Sequence, residues 1–127
     1  MEREEECQFV RLLPDGTLIM WLQGVEREVE IDGLEIPQPL PDMYIEIFQR
    51  VSRLRKPVRC SVRSVTPTDR VRARLSCYGW QDKSGDVWVD LALVLLEEGV
   101  VRVAAGEFPE REEYMRHESE ARHNSRR

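Results

Sequence analysis

The sequence predicts a β-barrel with helices, an α+β fold of five strands and about three helices forming one domain over residues 1–127. Three observations predict it. Three runs between residues 8 and 31 alternate apolar and polar side chains and are separated by turn residues, the period of strands with one buried face. A single stretch of helical spacing follows and ends at a proline, and two more alternating runs come after it. The last third carries an apolar run and a charged run, each closed like a helix.

Gln8-Phe9-Val10-Arg11-Leu12-Leu13 and Thr17-Leu18-Ile19-Met20-Trp21-Leu22 flank Pro14-Asp15-Gly16, so they read as a hairpin. Gly24 starts the return into residues 26–31, completing a three-stranded meander. Pro39-Leu40-Pro41-Asp42 punctuates the chain, with Asp42 expected as a helix N-cap. Tyr44, Ile47, Phe48, Val51 and Leu54 then share one helical face over residues 42–55, until Lys56-Pro57 stops the helix. Tyr44, Phe48 and Val51 are expected to pack on one end of the barrel.

Val58, Cys60 and Val62 alternate with Arg59, Ser61 and Arg63, and Val71, Ala73, Leu75 and Cys77 alternate with Arg70, Arg72 and Arg74. Two half-buried strands follow from this pattern, joined by Thr66-Pro67-Thr68-Asp69. Arg59, Arg63, Arg72 and Arg74 are expected on the wet side of the sheet. Residues 87–96 are apolar except Asp90 and read as a buried strand leading into a helix, which Glu97-Glu98-Gly99 closes with a C′ glycine. Residues 100–103 are a short extended piece, residues 110–122 a third helix, and residues 124–127 a frayed end. This is the order of an OB barrel with a helix between strands three and four.

The net charge of −5 hides a segregation: residues 1–50 carry −8, residues 51–80 carry +7 and residues 81–127 carry −4. The basic middle lies on strands, which makes a flat basic patch. Cys7, Cys60 and Cys77 form no C-x-x-C and accompany no histidine cluster, so they read as buried free thiols. No apolar run approaches the roughly 20 residues of a membrane span, and the acidic start Met1-Glu2-Arg3-Glu4-Glu5-Glu6 is the reverse of a leader. A cytoplasmic protein away from membranes is expected.

The stretch Val29-Glu30-Ile31-Asp32-Gly33-Leu34-Glu35-Ile36-Pro37-Gln38-Pro39 runs an apolar alternation into glycine, then an acid, then a proline turn. Taken with Asp15-Gly16-Thr17, Arg70-x-Arg72-Ala73-x-Leu75, Leu95-Leu96-Glu97-Glu98-Gly99-Val100-Val101-Arg102-Val103 and Glu118-x-x-Ala121-Arg122, it resembles the staphylococcal-nuclease-like domains of thermonuclease and Tudor-SN type. Their patterns are V-R-L-x-G-[IV]-D-[TA]-P-E, D-G-D-T, R-x-L-A-x-V, L-L-x-x-G-L-A-x-V and E-x-x-A-[RK]. The resemblance spans nearly the whole chain, though the closing G-L-W of the family is absent.

In that family an arginine clamps the scissile phosphate, an aspartate helps to hold Ca²⁺, and a glutamate is the proposed general base. Glu30, Glu35 and Gln38 stand at those places. The family's first metal aspartate falls at Gly16, with Asp15 one place away, while Arg70 matches the second phosphate-binding arginine. A glutamate in the clamp position repels the charge that a guanidinium would neutralise. An amide at the base position cannot accept the proton.

The resemblance therefore implies a catalytically inactive domain used as a binding module, with no resident cofactor. Its partner is a protein, a second copy of the chain included, or a single-stranded nucleic acid. Arg59, Arg63, Arg70, Arg72 and Arg74 with Tyr78 and Trp80 supply the cations and rings that single-strand binders use. The competing expectation is that these arginines pair with the 24 acids of the chain. The alternative class is an active Ca²⁺-dependent nuclease with relocated ligands, for instance Asp15, Asp32 and Glu35; an unrelated small-barrel scaffold is the third.

Overall fold

The computed structural model describes residues 3–55, 57–78 and 88–125. In chain order the elements are β1 (Arg3–Leu12), β2 (Leu18–Leu22), β3 (Val25–Ile31), β4 (Leu34–Glu35), α1 (Asp42–Leu54), β5 (Val58–Val65), β6 (Val71–Tyr78), β7 (Trp88–Asp90), α2 (Leu91–Glu97), β8 (Arg102–Val103) and α3 (Arg111–Ser125). Strands β3, β2, β1, β5 and β6 are neighbours in that order, and a parallel pairing of β3 with β6 closes them into a barrel. The fold is thus a closed five-stranded β-barrel with three helices, consistent with an OB-like barrel. Strand β7 extends β6 outside the ring, and β4 pairs with β8 in a separate two-stranded sheet.

Alternation decides what fills the barrel. Leu18, Met20, Val29, Val71, Ala73 and Leu75 are all within 1% of complete burial, each on the inward face of its strand. Helix α1 closes one end with Tyr44, Ile47, Phe48 and Val51, all buried, as its apolar spacing requires. The Tyr44 and Phe48 rings lie 5.0 Å apart, and Phe9 meets Phe48 at 5.7 Å. The Tyr44 hydroxyl donates to the Gly16 carbonyl at 2.7 Å, which ties the helix to the β1–β2 turn. Burial raises the Tyr44 pKa above the ordinary tyrosine range, so the hydroxyl stays a donor.

Several boundaries differ from those read in the sequence. Strand β1 begins at Arg3, because the acidic start pairs with β5 from Arg3↔Val62 to Cys7↔Val58. Alternate glutamates face water there without loss, and Glu4 reaches Arg59 at 3.3 Å. The N-cap of α1 is Pro41 and no side chain caps it; Asp42 is instead the first helical residue, where its charge still complements the positive end of the helix. Helix α3 runs on through Asn124 and Ser125, past the expected fray, and residues 126–127 lie outside the described residues.

The apolar run divides into strand and helix as read, although Trp88 and Val89 are half-buried rather than buried and residue 87 lies outside the described residues. Strand β7 hands over to α2 at Asp90, whose side chain accepts the Ala92 N–H at 2.9 Å and caps the helix. Gly99, at φ +72°, ends it with its N–H on the Leu96 carbonyl, while the Val100 N–H takes that of Leu95. Helix α2 packs on β6, and α3 packs on α2 and β8. Among the described residues no helix is long and apolar enough to cross a membrane. Cys7 is half-buried and Cys60 and Cys77 are buried, each as a thiol rather than in a disulfide.

Candidate functional site

The seam where β3 meets β6 is the distinctive part of the barrel. Its parallel register sets Val29 beside Val71 and Glu30 beside Arg72. Outward-facing Glu28 and Glu30 on one strand therefore meet outward-facing Arg70 and Arg72 on the other. Above the seam opens a cleft of about 640 Å³ lined by Asp15, Glu30, Gln38, Arg70, Arg72 and Phe108, among others. The structure thus gathers three of the four residues on which the sequence resemblance turns, Glu30, Gln38 and Arg70. Glu35 is not among them: it is exposed on β4, opposite Arg102.

Arg70 is held from three sides. Its guanidinium lies 3.9 Å from Asp15, 3.6 Å from Glu28 and 3.7 Å from Glu30. Glu30 also accepts from Arg72 Nε at 2.7 Å. These groups are between 29% and 52% exposed, so each pair is worth about 1 kcal/mol at most. Their effect is on charge rather than stability, because the two cations of the cleft are neutralised within the chain. Gln38 donates to the Asp15 carbonyl at 2.9 Å and serves as a strut for the turn.

Asp15, Gly16 and Asp32, three of the positions weighed for a metal, have structural duties instead. Asp15 accepts the Thr17 N–H at 2.9 Å, and that bond holds its carboxyl below the usual range, with the charge of Arg70 adding to the effect. Gly16 is buried at φ +94°, and a Cβ there would meet Ile36 Cδ1 at 3.0 Å. An aspartate at this position would be strained in backbone and crowded in side chain. Asp32 is bound to Arg63 at 3.1 Å. Among the described residues, no group of three His, Cys, Asp or Glu side chains is placed to hold a metal ion.

The remaining arginines of the basic middle do not form one wet face. Arg63 has a side chain only 10% exposed and bonds Asp32 and Glu110, a correction to its expected solvent exposure. A bulge in β5 between Val62 and Ser64 disturbs the register there, and Glu110, just ahead of α3, covers the guanidinium. Arg74 bonds Asp90 at 2.9 Å and Glu110 at 3.3 Å, under α2 and α3. Tyr114 completes this network with a 2.7 Å bond to Asp90. Burial works to raise the Glu110 pKa, but the hydrogen bond and charge of Arg63, with Arg74 behind, hold it below its ordinary value.

Arg59 and Arg72 are the exposed members of the set. Arg59 lies 3.9 Å over the Trp88 ring and 3.3 Å from Glu4. Trp80 lies outside the described residues. Sequence reasoning named Glu28, with Glu26 and Glu30, only as an alternative acidic interface, and missed Glu110 and Phe108 as site residues. For Glu28 a further signal was available, since Glu28-x-Glu30 and Arg70-x-Arg72 are opposite charges at the same spacing. Phe108 had none: its ring lies against Gly33, whose Cβ position is 2.6 Å from Phe108 Cε2. Compared with known proteins, the chain matches no family model and no curated protein.

Proposed function

We propose that this chain is a staphylococcal-nuclease-like OB domain that has lost nuclease chemistry and serves as a protein-binding module, a second copy of itself being one admissible partner. The observation that carries the reading is the charge swap at the seam: Glu30 occupies the place of a phosphate-clamping arginine and engages Arg70 and Arg72 itself. A phosphodiester entering the cleft competes with Asp15, Glu28 and Glu30 for Arg70 and with Glu30 for Arg72. The element order and the meeting of the matched C-terminal motifs support the family assignment, since Glu118 of the Glu118-x-x-Ala121-Arg122 run accepts the Val103 N–H at 2.6 Å. Cysteines held as thiols fit the reducing cytoplasm.

Arginines neutralised pairwise favour protein over nucleic acid, whose binding draws its energy from uncompensated cations. A single-stranded nucleic acid remains the second reading, favoured by one observation, the Arg59 guanidinium stacked on Trp88. Incubation of the unmodified protein with Ca²⁺ and single-stranded DNA, RNA or duplex DNA separates the readings. Neither cleavage nor oligonucleotide binding at low salt is expected. Ca²⁺-dependent cleavage abolished by Arg70→Ala would overturn the inactive reading, and binding abolished by Arg59→Glu with Arg72→Glu would install the second.

A further inference from the structure

Resting on the protein-binding reading, we infer that the groove between α1 and the β1–β2 hairpin docks an acidic amphipathic helix of a partner protein. The groove has a volume of about 600 Å³, and its floor is Phe9, Leu12, Leu13, Leu40, Ile45 and Phe48. On its α1 side, Ile45, Phe48, Gln49, Ser52 and Arg53 recur at helical spacing along one face, spanning about 12 Å at 1.5 Å per residue. That length accepts two to three turns of a packed helix with its apolar stripe down.

Charge selects the partner. Arg11 and Arg53 flank the groove, and among the described residues no carboxylate lines it. Both are exposed, and neither makes a hydrogen bond or ion pair among the described residues. Every arginine of the seam cleft, by contrast, is met by a carboxylate. In a chain with 24 acidic and 19 basic side chains, two uncompensated cations beside an apolar trough form a localised positive field. Leucine-type anchors fill the trough and flanking glutamates meet Arg11 and Arg53, while a basic helix of the same shape is repelled.

The test uses a fluorescein-labelled synthetic helix about 12 residues long, with leucines on one face and glutamates beside them, titrated into the ¹⁵N-labelled protein. Shift changes confined to residues 9–14 and 45–53 are expected. Arg11→Glu with Arg53→Glu, both on the surface, should weaken binding by about tenfold or more, as should exchanging the peptide's glutamates for lysines. Raising salt should weaken it too, since the pairs are solvent-facing. Absence of binding, shifts centred on the seam cleft, or equal binding of the lysine peptide would each overturn the groove assignment. An oligonucleotide titrated into the same samples tests the underlying reading separately: cleavage with Ca²⁺, or shifts around Arg59 and Trp88, would remove that reading whatever the peptide does.

Discussion

Arg63→Ala probes the ion network that joins α3 to the barrel. Arg63 and Glu110 side chains are each 10% exposed, and Asp32, the other carboxylate on Arg63, is 20% exposed. Removing the guanidinium leaves both acids short of a cation, with Arg74 Nη1 at 3.3 Å still on Glu110. One-sided loss of a buried pair costs about 3–5 kcal/mol, because the orphaned charge stays desolvated. The remaining Arg74 contact and the access of Asp32 to water place this case near the lower end, about 3 kcal/mol. For a chain of 127 residues a kcal/mol corresponds to about 4 °C in Tm, so melting should fall by about 12 °C. Urea unfolding should give the same loss at an unchanged slope. Adding Glu110→Gln should recover part of it, since the neutral amide removes the stranded charge. Arg59→Ala is the control, at 44% exposure, and should cost less than about 1 kcal/mol. If Arg63→Ala shifts the midpoint no further than Arg59→Ala, the network does not hold the helix and the reasoning fails.

Acid should loosen the same network. The folded Glu110 pKa lies below its ordinary value of 4.5, so its contribution is complete above that pH and is lost as pH falls through the folded value; urea midpoints from pH 6 down to about pH 3 should decline less steeply in Glu110→Gln. Asp90→Ala removes both the cap on Ala92 and the acceptor for Arg74 and Tyr114, and calorimetry should register a loss of about 3 kcal/mol. At Gly33, φ +85° and the Phe108 ring together oppose any side chain; Gly33→Ala should cost about 1–3 kcal/mol, and Phe108→Ala in the same chain should relieve the clash but not the backbone strain. Glu30→Arg with Gln38→Glu, the partial return to the nuclease pattern, should yield no cleavage and should destabilise the seam, because it sets a third cation against Arg70 and Arg72. Gly16→Asp should lower stability further at its positive φ, measurable as a shift in urea midpoint.

Much of the fold was legible because burial leaves a periodic trace. Val71, Ala73 and Leu75 alternate with arginines, and they do line the barrel. Tyr44, Phe48 and Val51 share a helical face, and they do close its end. Asp90 interrupts an apolar run at the point where strand becomes helix, and a cap is what that interruption provides. Boundaries were less legible where two chemistries are compatible with one pattern. The glutamates of residues 4–6 fall before the first strand read in the sequence, yet pairing with β5 makes them strand, and Pro41 rather than Asp42 takes the cap position.

The sequence by itself determined the inventory: a barrel-sized set of alternating strands and a helix that must cover apolar surface. These are local properties, set by periodicity and side-chain chemistry within a few residues. Only the tertiary structure decided which charges meet. Glu30 reaches Arg72 across 42 positions and Arg63 reaches Glu110 across 47, through a parallel seam and a helix packed over β6 that no local pattern encodes. A run of arginines is the same run whether its counter-ions come from a ligand or from the chain. Which of the two occurs depends on distances set by the closed barrel, and here the chain supplies the carboxylates at the seam, while Arg11 and Arg53 meet none among the described residues.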